Sequence, residues 1–100
     1  MATVVVAYPI GVPLDQSYYL SNHAPMIEKI WKPMGLKSWR VSEITDSNSR
    51  YGFMIHLEWN DLGDFGKAAG AEESKVIFND ISNFTKGQPE ILPGKTIRSG

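Results

Sequence analysis

The chain holds two histidines, four tyrosines and no cysteine, so few of its side chains suit proton transfer near neutral pH. His23 lies in DQSYYLSNHAP, residues 15–25, a stretch that opens with a good helix cap at Asp15. Leu20, His23, Ile27, Ile30 and Met34 recur at intervals of three and four, the period of one helix face. That pattern aims the imidazole at the core. Tyr19, four residues earlier, falls on nearly the same face and is placed to bond the histidine or share a ligand with it. Pro25 has no amide hydrogen and crowds the carbonyl of Ser21, so a kink or restart is expected there, opening room beside His23. His23 is then either a core histidine satisfied by a nearby carbonyl or hydroxyl, or a general acid or base at a cleft.

His56 sits in a second pattern, alternating with Met54 and Glu58 along YGFMIHLEW. If Phe53, Ile55, Leu57 and Trp59 face the helices, His56 points the other way, into an interface. With the opposite parity it joins His23 as an acid–base pair. His56 and Glu58 lack the convergence of a metal signature, so no metal site is expected. Tyr8, at the end of the first strand, is a candidate for orienting a phenol or enolate oxygen, as are Tyr18, Tyr19 and Tyr51. Trp39, Phe53, Trp59, Phe65 and Phe84 either line a flat aromatic pocket or simply fill the core. Arg40 and Ser42 share a strand face and either meet an acid group or stay solvated.

The elements that position these residues alternate strand, helix, strand, strand, helix, strand. Thr3 to Tyr8 is β-branched and ends at Pro9 and Gly11, as a buried strand does. The helix from Asp15 ends at Pro33 and Gly35. LKSWRVSEIT (36–45) and 51–59 form a hairpin across DSNS. Asn60 or Asp61 caps the next helix, with Leu62, Phe65 and Ala69 inward. Gly70 breaks it before a second stretch, 71–81, and a last strand of about ten residues starts near Pro89. This β-α-β-β-α-β order predicts an α+β, ferredoxin-like fold over 1–100 as one domain: a four-stranded antiparallel sheet with helices on one face. The hairpin carries apolar residues on both faces, Ile44 and Met54 opposing Val41, Phe53, Ile55 and Leu57. A sheet with helices for only one such face is expected to bury the other in a homodimer.

Ten Lys plus Arg against eleven Asp plus Glu give a net charge of −1, which offers no footprint for nucleic acid. Absence of cysteine excludes disulfides, cysteine nucleophiles and zinc–thiolate sites. MATVVVAYPIGV lacks a basic start and a cleavage site, and no run approaches a membrane span. A cytoplasmic location is the default expectation. No GxSxG elbow, phosphate loop or dinucleotide fingerprint occurs, and GDFGKAAG is merely a helix with small residues.

YYLSNHAPMIEKIW, the early strand ending in AYP, HLEWNDLGDF and DISNFTKGQPEI together resemble the EthD family of the dimeric α/β-barrel superfamily. The likeness covers essentially the whole chain, and it departs at Ser82, where the family usually has proline. It implies a ferredoxin-like protomer, a homodimer whose sheets close into a barrel, and a cleft between sheet and helices beside the histidine of an H-x-P pattern, here His23. Relatives across the superfamily include cofactor-free oxygenases, polyketide cyclases, decarboxylases, dehydratases, lactone isomerases and some haem-binding members. The expectation is a cofactor-independent enzyme acting on an aromatic or polyketide-like molecule, with His23 as acid or base and Tyr19 or Tyr8 steadying an oxyanion. Cofactor-free oxygenation of a phenolic substrate is a variant. The alternatives are a non-catalytic homodimeric binder of a small hydrophobic metabolite and a ligand-free assembly or stress-associated protein.

Overall fold

The structure, a computed structural model, describes residues 1–100. Alternating apolar residues build four antiparallel strands: β1 (Ala2–Pro9), β2 (Leu36–Glu43), β3 (Tyr51–Trp59) and β4 (Glu90–Lys95). Their spatial order is β2-β3-β1-β4, the ferredoxin-like arrangement. The register pairs Val4 with Leu57 and Val6 with Ile55, so Val4, Val6, Tyr8, Phe53, Ile55, Leu57 and Trp59 share the face that the helices cover. One extra residue in β2, between Leu36 and Ser38, lets Leu36 and Trp39 occupy that same face despite their odd spacing.

The first helical run, α1 (16–34), is continuous but not uniform. An α-turn at Gln16–Tyr18 leads into a π-turn at Tyr19–His23, then regular helix over Ala24–Trp31 and a 3-10 turn at Lys32–Met34. Asp15 caps its start by accepting from the Tyr18 amide at 3.0 Å. Gly35 ends it with φ 114°, a conformation that side chains resist. A Cβ there would also lie 2.8 Å from an Asp64 carboxylate oxygen. The second run comprises α2 (Leu62–Gly70), capped by the Asp61 carboxylate, and α3 (Lys75–Asp80), with 3-10 turns at Glu72–Ser74 and Ile81–Asn83.

Several expectations change. The inward stripe of α1 is Tyr19, His23, Ile27 and Trp31, all buried, whereas Leu20 is 54% exposed and Ile30 and Met34 are only half-buried. Tyr19, His23 and Ile27 fall on the inward face as expected. The π-turn over Tyr19–His23 turns Leu20 away from it, and the stripe continues by a step of four to Trp31 instead of three to Ile30. In α2 the buried pair is Phe65 and Ala68, with Leu62 exposed at the cap and Ala69 half-buried. β4 spans six residues, not ten. Its Pro93 has no N–H to offer a neighbouring strand, which blunts this open sheet edge.

His56 lies on the face without helices, opposite Val5 and Arg40, so it does not join His23. The molecule measures 32 × 32 × 19 Å, and the short axis is one sheet plus one helix layer. The uncovered face carries Val5, Met54 and Leu92 among Arg40, His56, Glu58 and Glu90. No helix is long and apolar enough to cross a membrane.

Candidate functional site

The π-turn determines where the first functional group sits. Pro25 cannot donate to a carbonyl one turn back, and its ring excludes the position that an α-helical Ser21 carbonyl needs. The helix responds by widening, and the Ala24 amide bonds the Tyr19 carbonyl five residues back. In an α-helix, residues five apart are separated by about 140° around the axis. In a π-turn they come close to one above the other. Tyr18 and His23 are such a pair, and both reach one carboxylate, Asp80, at the end of α3.

His23 Nδ1 lies 2.9 Å from Asp80 Oδ2. The Tyr18 hydroxyl donates to Asp80 Oδ1 at 2.6 Å, and the Asn83 amide donates to the same oxygen at 2.9 Å. His23 and Asp80 are only 2% and 6% exposed. Burial alone would raise the Asp80 pKa, but hydrogen bonds from Tyr18, Asn83 and His23 outweigh it and hold the carboxyl below its ordinary value. Burial lowers the pKa of His23, a tendency that Asp80 opposes. The imidazole is therefore neutral near pH 7 with its proton on Nδ1, because an ionised Asp80 accepts and cannot donate. Nε2 is left as a free base.

The surrounding contacts fix the ring. Phe84 meets His23 edge-on with centroids 4.8 Å apart, and Tyr19 lies at 5.0 Å. Phe84 is itself held where the segment after α3 crosses the start of α1. There the Asp15 amide donates to the Phe84 carbonyl at 2.8 Å and Thr85 Oγ1 donates to the Pro13 carbonyl at 2.9 Å.

Beside His23 runs a slot between the sheet and the helices. Its floor is Val6 and Tyr8 of β1 with Ile55 and Leu57 of β3, and α1 contributes His23, Ile27 and Trp31. Phe65 and Ile77 close the far wall, while the partly exposed Phe78, Ile81, Pro89 and Ile91 frame its open side. The empty space is about 420 Å³ counted out through the mouth into open solvent. It is a narrow cleft whose side chains must part for a ring. No Lys, Arg, Asp or Glu lines it. Trp31, in its wall, donates its indole N–H to the buried Ser74 hydroxyl at 2.7 Å, and Ser74 in turn donates to the Ala68 carbonyl.

Of the aromatic residues singled out in the sequence, Tyr8 and Phe65 line this slot. The others are placed elsewhere. Phe53 packs under Tyr8 and Tyr19, and Phe84 backs the imidazole. Trp59 is fully buried against Trp31 and Phe65 at the other end of the sheet. Trp39, on edge strand β2, donates to Glu28 at 3.1 Å. Tyr19 touches His23 with its ring and has no hydroxyl bond to it. Burial raises the pKa of both Tyr8 and Tyr19, so each remains a neutral hydroxyl. No three His, Asp or Glu side chains converge to hold a metal ion. Asp80, quoted in DISNF but given no role, is the residue of the candidate site that the sequence reading missed.

This architecture defines a ferredoxin-like α+β protein with a histidine–aspartate pair at an apolar slot. An EthD-like protein from Ralstonia eutropha JMP134 shares 22% identity, with 99% of this chain and 94% of that one aligned at a TM-score of 0.84. An EthD family protein from Bacillus halodurans C-125 shares 24% identity over 97% and 99% of the two chains, TM-score 0.77. SnoaB, a cofactor-independent oxygenase from Streptomyces nogalater, aligns at 11% identity over 98% and 94%, TM-score 0.72. No family profile and no curated protein sequence matches the chain. The chain has the fold of the EthD-like structures from end to end, in keeping with the resemblance carried by its sequence motifs.

Proposed function

We propose that this protein is an EthD-family enzyme that acts without a cofactor on a small, uncharged aromatic or polyketide-like molecule. The observation that carries the reading is a buried His23 in the lining of an apolar slot, its Nδ1 held by Asp80 and its Nε2 left without a partner. Nε2 takes a proton from a carbon next to a carbonyl or from a phenolic oxygen, leaving an enolate or phenolate. The imidazolium so formed is stabilised by Asp80 and returns the proton to a departing hydroxyl, which leaves as water in a dehydration, to the alkoxide formed in a cyclisation, or to another carbon in an isomerisation. Tyr8, a neutral hydroxyl at the slot, donates to the developing oxyanion. A lining without a cation, backed by the negative charge of Asp80, disfavours a carboxylate or phosphate ligand. SnoaB, as a cofactor-independent oxygenase, supports the variant in which the deprotonated substrate itself reacts with dioxygen.

The uncovered sheet face supports a homodimer. It mixes Val5, Met54 and Leu92 with charges of both signs, Arg40 against Glu58 and Glu90, a pattern that complements itself about a two-fold axis. The catalytic reading is tested by incubating wild type and His23→Ala with a panel of neutral phenols, anthrones and cyclic ketones. Turnover is followed by mass spectrometry and binding by calorimetry. Lost turnover with retained binding supports the base. Undiminished turnover overturns it, and binding without turnover by either protein points to the carrier alternative.

A further inference from the structure

Asp80 has two oxygens and three donors, and their division is uneven. Oδ2 is left to His23 alone, while Oδ1 receives both the Tyr18 hydroxyl and the Asn83 amide. We propose that Tyr18 and Asn83 are positioning residues that set the basicity of His23 through Asp80, neither of them touching the imidazole. This rests on the reading of His23 as the base and adds what tunes it.

A carboxylate whose charge is drawn toward two donors on one oxygen offers less to a third donor on the other. With both in place, Asp80 fixes the tautomer but holds the imidazolium only moderately, leaving Nε2 ready both to take and to return a proton. Without the Tyr18 hydroxyl, more of the charge falls on the His23 bond and imidazolium is favoured. Tyr18 is suited to this role because its ring stacks on Phe84 at 6.4 Å, so the hydroxyl can be removed without removing the packing. Asn83 reaches the same oxygen from within the turn that ends α3. The other titratable groups facing His23 are few. Tyr19 lies on its own turn and Tyr8 on β1. β3 contributes Ile55 and Leu57, β4 Ile91, α2 Phe65, and α3 only Asp80, so no further charge competes with this one.

The test needs no ligand. The full-length protein, labelled at the histidine ring, is titrated by NMR in wild-type form and as Tyr18→Phe, Asn83→Ala and Asp80→Asn; His56→Gln assigns the resonances. Wild type is expected to show the Nδ1–H tautomer. Tyr18→Phe and Asn83→Ala should each raise the His23 midpoint by about half a unit, roughly a threefold change in the protonation constant. Asp80→Asn should lower it. Opposite signs at neighbouring positions of one cluster are not what loosened packing produces. Unchanged or lowered midpoints in both Tyr18→Phe and Asn83→Ala overturn the proposal, even if His23→Ala abolishes turnover. A raised midpoint together with full activity of His23→Ala leaves the tuning intact and removes only the catalytic reading.

Discussion

Replacing Asp80 by alanine measures what the cluster contributes to the fold. Three donors lose their acceptor, but unequally. Tyr18 is half-buried and Asn83 is exposed, so both turn to water at little cost. The His23 N–H, sealed under Phe84 and Tyr19, has no such recourse. A hydrogen bond from a buried donor to a charged acceptor contributes about 1.5–3 kcal/mol. Removing the carboxylate also relieves its desolvation, which opposes the loss. Asp80 is nonetheless held below its ordinary pKa in the folded state, so the bonds to its charge exceed that penalty. We therefore expect Asp80→Ala to destabilise by about 2–3 kcal/mol, a large share of the roughly 5–15 kcal/mol typical of a domain. Asp80→Asn, which keeps the shape and one acceptor oxygen, should cost about 1 kcal/mol. The assay is urea unfolding at pH 7.5 and fixed protein concentration, followed by tryptophan fluorescence and far-UV circular dichroism. A loss below about 0.5 kcal/mol for Asp80→Ala, the scatter of surface substitutions, would refute the reasoning, because Asp80 would then not be the buried acceptor described.

Acidification should weaken the fold in two windows. Burial depresses the His23 pKa in the folded state, so below about pH 6.5 the unfolded chain takes up a proton first and stability falls. His23→Gln should flatten the slope of unfolding free energy between pH 7.5 and 5.5, leaving the part due to His56, and an unaltered slope contradicts the assignment. Asp80, also depressed, stabilises the fold above its unfolded pKa and loses that contribution as pH falls through the lower folded value. Ser74→Ala orphans the buried indole N–H of Trp31 and should cost about 1–3 kcal/mol by urea unfolding; a change within 0.5 kcal/mol argues against that bond. Val5→Asp puts a charge in the middle of the uncovered sheet face and should give a monomer by sedimentation velocity, whereas an intact dimer would place the interface elsewhere.

The ferredoxin-like order of elements was legible from the succession of strand and helix patterns. The hairpin is apolar on both faces, however, so which face of β3 meets the helices was decided only by the register that pairs Val4 with Leu57 and Val6 with Ile55. Legibility failed where the helical period itself changed. Counting from Leu20 assumed α geometry through Pro25, although the proline was recognised as a disturbance. The disturbance took the form of a widened turn upstream, which kept Tyr19 inward and turned Leu20 out. Asp80 escaped notice because DISN reads as a turn and lies 57 residues from His23. A signal was nevertheless present. Ile77, Asp80 and Phe84 recur at three and four, so the carboxylate stands on an inward stripe where an unpaired charge would be costly. The narrowness of the slot had no signal, since it depends on how side chains from several separate elements pack together.

The widened turn of α1 absorbs one residue of chain length without turning the helix on either side of it. Between Tyr19 and His23 the helix carries one residue more than α geometry needs, and Leu20, exposed there, contributes little else. Deleting a single residue from that turn restores the α-helical repeat while Ile27 and Trp31 stay docked. Tyr18 then stands four residues before His23, about 40° from it around a regular α-helix, so its hydroxyl still faces Asp80. Relatives one residue shorter here would hold the same tyrosine, histidine and aspartate together on a regular helix, a likeness hidden unless a gap is placed in this turn.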